Sequence, residues 1–291
     1  MIAVVRAFRS TVGIATGALV IVTAIWGATF VVVKDAVEKM PVLDFLAWRF
    51  AIATLAIGLL RPQSVARMSR RGWAVGTLLG LALGGGYLAQ TYGLRTTPAS
   101  VSGFITGMFA VFTPLVAALV LRRHIAGRSW LAVALATLGL ALIALHGLSI
   151  GAGELLTLGC ALAFAVHIVG LGEWSADFDA FGLTFVQLLT VTLLCAVFAA
   201  AHSLAAPPDL GVWGAVLLTG LAASAFGFAV QTWAQAHLHS VRVAVVLTME
   251  PVFAGLFGVA IGGDHLGVRT IVGALCVVGA MLMVESAPMA R

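Results

Sequence analysis

The stretch VGIATGALVIVTAIWGATFVVV, residues 12–33, runs for 22 residues without a charge. At 1.5 Å per residue a helix of that length reaches about 33 Å, which crosses the roughly 30 Å hydrocarbon core of a bilayer. Similar runs recur near residues 42–60, 73–93, 99–121, 129–147, 153–172, 181–201, 211–233, 241–262 and 267–285. They predict ten membrane helices, because a helix satisfies its own backbone polar groups where water is absent. The first run exceeds a signal-peptide core and lacks a small-residue cleavage site at its end. It therefore reads as a retained helix, despite Arg6 and Arg9 ahead of it.

Working outward from that run, the composition agrees. Of 291 residues, 62% are apolar and 9% charged, against about 25% charged in a soluble domain. So few charges cannot cover a soluble surface, and the expected surroundings are membrane lipid. The formal net charge of +5 comes from residues in short links between apolar runs. Membrane topology explains them, and no nucleic-acid partner is expected. Cys160, Cys195 and Cys276 fall inside apolar runs and read as small packing residues, not as a disulfide or zinc set. The only lysines are Lys34 and Lys39, so no phosphate-binding loop lysine motif exists, and no His-Glu-x-x-His motif occurs either. No cofactor or metal is expected. Gly147-Leu148-Ser149-Ile150-Gly151 spells a nucleophile elbow, but it joins two apolar runs and reads as a turn. An enzyme is not expected.

Arg61, Arg67, Arg70 and Arg71 lie between runs two and three, and Arg122, Arg123 and Arg128 between runs four and five. With Arg6 and Arg9 they mark the cytoplasmic side of an inner (plasma) membrane, with both termini cytoplasmic.

The two halves of the chain match. Gln90-Thr91-Tyr92 corresponds to Gln231-Thr232-Trp233, and Pro114-Leu115-Val116-Ala117 to Pro251-Val252-Phe253-Ala254. The reading is an all-α integral membrane protein of ten transmembrane helices, as two inverted five-helix repeats, residues 1–148 and 149–291. Five is odd, so the second copy enters the membrane upside down. The links agree: the counterpart of the Arg61–Arg71 link, residues 202–211, has no Lys or Arg. Inverted repeats that share a midplane site are an architecture of secondary transporters.

Ala24-Ile25-Trp26-Gly27-Ala28-Thr29-Phe30 followed by Arg49-Phe50, Thr106-Gly107 through Pro114, and Met249-Glu250-Pro251 followed by Gly262-Gly263-Asp264-His265-Leu266 carry a resemblance over nearly the whole chain. In these stretches and their order the sequence resembles the EamA-type branch of the drug/metabolite transporter superfamily. Asp264 and His265 stand where that family often has Glu and Arg. The resemblance implies a ten-helix fold with a central cavity lined from both repeats. It also implies export of small-molecule substrates such as amino acids, other metabolites or toxic compounds.

Candidate substrate-binding residues are Trp26, Phe30, Gln90, Phe104, His167, Gln231 and Glu250. Glu250 lies inside run nine before Pro251, whose missing N–H frees the carbonyl of Leu247. Acids within membrane helices lean functional, and desolvation favours a neutral, proton-bearing acid. Glu250 reads either as a proton-coupling acid or as a hydrogen-bonded tie between helices. His167, in mid-run, reads as a second proton-coupling candidate or as a packing histidine. Gln90 and Gln231 are equivalent in the repeats and could grip a solute from opposite sides or bond helix to helix. Trp26 and Phe104 are the deeper of several aromatics, a set that also includes Tyr87, Tyr92 and Trp233. Arg49 reads as an anion contact, or as a snorkelling side chain or clamp on helix-end carbonyls. The function expected is alternating-access transport, with or without proton coupling; a membrane scaffold and a membrane enzyme are the other readings. Oligomeric state is open.

Overall fold

The computed structural model describes residues 2–121, 127–146, 149–200, 204–238, 243 and 246–285. The helices are α1 (Ile2–Lys39), α2 (Val42–Leu60), a short α3 (Pro62–Ala66), α4 (Arg70–Leu94), α5 (Ala99–Thr106), α6 (Phe109–Leu121) and α7 (Gly127–Ala144). Then follow α8 (Ala152–Trp174), α9 (Ala180–Ala200), α10 (Leu210–Leu218), α11 (Gly227–His237), α12 (Met249–Ala260) and α13 (Val268–Glu285). Two-residue strands, β1 (Leu145–His146) and β2 (Ser149–Ile150), pair antiparallel between α7 and α8. Ser149 of the elbow-like motif lies in this pair, while Gly147 and Leu148 fall outside the described residues.

These helices are apolar around most of their circumference, so each buries one side in the bundle and offers Leu, Val and Ile to the other. Leu59, Leu119 and Leu210 are 81%, 82% and 89% exposed, which only lipid makes cheap. Among the described residues seven helices are long and apolar enough to cross a membrane, and Met249–Ala260 and Val268–Ala280 are shorter apolar helices. The expected fifth span appears as α7, of 18 residues. The expected fourth span is one run, but its helix is interrupted at Gly107 and Met108 between α5 and α6. Part of the expected ninth, at residues 241, 242, 244 and 245, lies outside the described residues. Lys34, Asp35, Glu38 and Lys39 continue α1 as helix.

Packing follows the duplication. α1 lies on α11 and α12, and its counterpart α8 lies on α4, α5 and α6. α2 packs on α9, α5 on α12 and α7 on α13, each against its own counterpart. At one end of the bundle Lys39 Nζ is 3.6 Å from Asp209, Asp44 accepts from the Ala205 N–H, and Asp264 accepts from the Ser100 N–H at 2.7 Å. At the opposite end of α2, beyond α3, Arg71 pairs with Asp177 at 2.9 Å. The links 61–69 and 204–209, which correspond between the halves, therefore sit at opposite ends of the bundle.

Small residues make some crossings possible. A Cβ on Gly80 would come within 2.6 Å of Thr190 Cβ and 2.8 Å of the Gln187 carbonyl, so α4 and α9 touch there almost backbone to backbone. Gly13 and Gly17, which share the same spacing as Gly80 and Gly84, face open space instead. Gly80→Ala should therefore cost about 1–3 kcal/mol through overpacking, whereas Gly13→Ala should leave stability unchanged or raise it. Thermal unfolding of the two variants in detergent measures the contrast.

Asp209 caps α10 by accepting from the Val212 N–H at 2.8 Å, and it faces Lys39. That backbone hydrogen bond, with Lys39 adding to it, holds its carboxyl below the usual aspartate value. A depressed value means that the stabilisation is present above the unfolded-state pKa of about 3.9 and is lost as pH falls through the folded value. Asp209→Ala should lower thermal stability at pH 7, and the difference from wild type should shrink in melting curves taken below about pH 4.

Candidate functional site

Two interruptions shape the centre of the bundle. The proline-bearing spans of the two halves both break on the N-terminal side of their prolines, at Gly107–Met108 before Pro114 and at Thr248 before Pro251. Pro251 thus falls in the first turn of α12, where its missing N–H costs no hydrogen bond. Glu250 also lies in that first turn, rather than well inside a continuous helix as expected, and is buried. Helix N-termini favour negative charge.

A third irregularity lies in the eighth span. Between α10 and α11 the chain winds as a π-helix over Thr219–Phe226, a geometry frequent at functional sites. One of its carbonyls accepts from outside: Trp26 Nε1 donates to the Ala223 carbonyl at 2.7 Å. Arg49 Nε donates to Ser224 Oγ at 2.9 Å.

Around these features α1, α4, α6, α8, α11 and α12 enclose a cavity. Trp26, Phe30, Gln90, His167, Gln231 and Glu250 all line it. Its volume is about 40 Å³, so it is narrow. Of the residues expected at the site, Phe104 is the exception. It is buried in α5 with its ring against α12, where a Cβ on Gly255 would come within 2.8 Å of its tip. It serves close packing of α5 on α12 and does not line the cavity.

Tyr87, Phe164 and Phe228 complete the aromatic wall. Tyr87 stands edge-on to both, with centroids 5.4 and 6.0 Å apart. Tyr92 is 39% exposed and Trp233 packs on His237, so neither lines the cavity.

Arg49 is fully packed behind Tyr87. Its guanidinium lies 4.6 Å from the Tyr87 ring centre and 5.2 Å from that of Phe50, and Nη2 donates to the Tyr87 hydroxyl at 3.3 Å. It neither snorkels nor clamps a helix end, and Asp44 is engaged elsewhere, with the Ala205 N–H. Among the described residues no carboxylate pairs with Arg49.

The amide orientations can be derived. The Ile168 carbonyl can only accept, so Gln235 must turn its NH₂ toward it, at 3.0 Å. That leaves the Gln235 carbonyl to face Gln231, which must then donate, at 3.1 Å. The carbonyl oxygen of Gln231 is left buried without a partner. The same logic fixes His167. Gln187 gives its NH₂ to the Leu183 carbonyl, so its own carbonyl faces His167 Nε2 at 2.7 Å and that nitrogen carries a hydrogen. Gln187 and Gln235 were not singled out in the sequence, for neither has a marked counterpart in the other half.

A second, larger space lies at the end of the bundle bearing α3, lined by Arg61, Arg67, Arg71, Asp177 and Asp179. Its charges are largely engaged, Arg71 with Asp177 and Arg61 over the Phe181 ring.

The chain matches the EamA-like transporter family twice, over residues 13–145 and again over residues 151–286. A protein of Archaeoglobus fulgidus named an uncharacterized transporter is 32% identical over 269 residues, which cover 92% of this chain and 84% of that one. A solved crystal structure is similar with a TM-score of 0.68 at 19% identity, over 93% of this chain and 96% of the other; that likeness concerns the fold alone. With a double match to one family spanning nearly its whole length, the chain belongs to the EamA-like transporters of the drug/metabolite transporter superfamily and is a multi-pass membrane protein.

Proposed function

We propose that the protein is a secondary transporter that exports amino acids or related small metabolites from the cell across its plasma membrane. The observation that carries this reading is the central cavity, with a buried acid and an unpartnered buried amide carbonyl on helices of the second half and Gln90 opposite on the first. Helices broken beside a ligand space are a recurring feature of carriers. Ten spans as two inverted five-helix repeats, residues 1–148 and 149–291, with both termini cytoplasmic, fit the opposed positions of corresponding links. In this mechanism one repeat rocks against the other and opens the cavity to each side in turn. Glu250 is the proton-coupling group, and His167, tied to Gln187, tunes it.

Purified protein in liposomes tests the reading. Counterflow of a radiolabelled metabolite from a panel that includes amino acids, amines and carboxylates is the expected result; a flat trace across the panel sinks it. Gln90→Ala and Gln231→Ala should each weaken apparent substrate affinity, by about tenfold if each donates or accepts one bond to the solute. Unchanged affinity in both removes them from the site.

A further inference from the structure

The hydrogen-bond accounting of the cavity wall says more than its size does. Trp26 Nε1 and His167 Nε2 have given their single hydrogens to Ala223 and Gln187, and Gln90 and Gln231 have each given one of two amide hydrogens, to Thr106 and Gln235. The Thr29 hydroxyl is spent as well, on the Trp26 carbonyl. Tyr87 keeps its own hydroxyl hydrogen. Beyond that hydroxyl and the two remaining amide hydrogens, what the wall offers is acceptors. The Gln231 carbonyl oxygen has no partner though its residue is only 2% exposed. Glu250, 6% exposed, has no hydrogen bond or ion pair among the described residues. Around these acceptors stand the faces and edges of Trp26, Tyr87, Phe164 and Phe228.

A buried acceptor left empty costs free energy until something donates to it. Aromatic faces attract a cation through their quadrupole, most strongly where water is excluded. An anionic group would meet none of this: few donors, a carboxylate, and ring faces of the wrong sign. Building on the transport reading above, we infer that the solute received here carries a positively charged amine, seated between Glu250 and the Gln231 carbonyl and against the aromatic rings. The other titratable groups around Glu250 are Tyr87 and His167 on the same wall and Cys160, buried in α8; Arg49 lies behind Tyr87. That arrangement makes Glu250 the only carboxylate among the lining residues available to the amine.

Three probes that share a phenethyl group separate the charge classes: phenethyltrimethylammonium, 2-phenylethanol and 3-phenylpropionate. The permanent charge of the first removes any dependence on its own protonation. Titration calorimetry on the full-length protein in detergent should show the ammonium probe binding about tenfold or more tightly than the other two. Glu250→Gln and Gln231→Leu, each checked for folding by thermal melting, should weaken it about tenfold or more. If Glu250→Gln does not fold, Gln231→Leu decides. Equal or tighter binding of the carboxylate, no binding of the ammonium to wild type, or an unchanged ammonium affinity in the folded variants overturns the proposal. Counterflow in liposomes is read separately. Transport of anionic solutes alone defeats the amine assignment while leaving a transporter; ammonium binding at Glu250 without counterflow of any solute does the reverse.

Discussion

Glu250→Gln should cut solute flux in liposomes by about tenfold to a hundredfold, because a charge-assisted contact contributes roughly 1.5–3 kcal/mol. The substitution keeps shape and volume, so the protein should still fold. It removes the one lining residue that can be a carboxylate. If Glu250 exchanges a proton for the solute, wild-type flux should vary with pH, and the variant's should be nearly flat. The groups that could mimic this are His167, Tyr87 and Cys160, with Arg49 as the nearby fixed cation. His167→Gln therefore belongs in the same series and should leave most of the pH response in place. Flux and pH profile unchanged in Glu250→Gln would make the acid a structural tie in the first turn of α12.

Arg49→Met offers the second large effect, and here the sign must be weighed. Two hydrogen bonds from a charged group, to Ser224 and Tyr87, are lost, at about 1.5–3 kcal/mol each. Against that, an unpaired cation is no longer buried, a relief of several kcal/mol. Methionine fills much of the same space, so the two terms roughly cancel and the melting temperature should move little. Transport per folded molecule should nevertheless fall about tenfold or more, since Tyr87 and the wide turn at Ser224 lose their common anchor. A variant that melts far below wild type but transports normally per folded molecule would make Arg49 a structural clamp only.

Hydropathy made most of the helices legible, because a bilayer tolerates little else than a long apolar helix. It could not show which face of each helix turns inward. These helices are apolar on nearly all sides, and no stripe distinguishes core from lipid. Phe104 was expected at the cavity for its depth, yet its ring faces Gly255, and depth alone cannot give rotation about an axis. Gly13 and Gly80 share a spacing but only Gly80 meets another helix, for the same reason. The matched triplets around Gln90 and Gln231 worked better, because the repeat supplies a relation between distant segments that one helix cannot. Gln187 and Gln235 had no such signal. Glu250 was legible as an acid before a proline, while the break at Thr248 that places it in a first turn was not.

The π-helical turn over Thr219–Phe226 has a consequence for relatives of this chain. Such a bulge stores roughly one surplus residue without changing the phase of the helix on either side. A shorter homologue can drop a residue there, relax to ordinary winding and still aim its Gln231 equivalent inward. What it forfeits is the winding that sets the Ala223 carbonyl against Trp26. Deleting Ala222 from this chain should therefore leave the solute's amine seat in place while unpinning the indole, separating the binding of the solute from the rigidity of the wall that holds it.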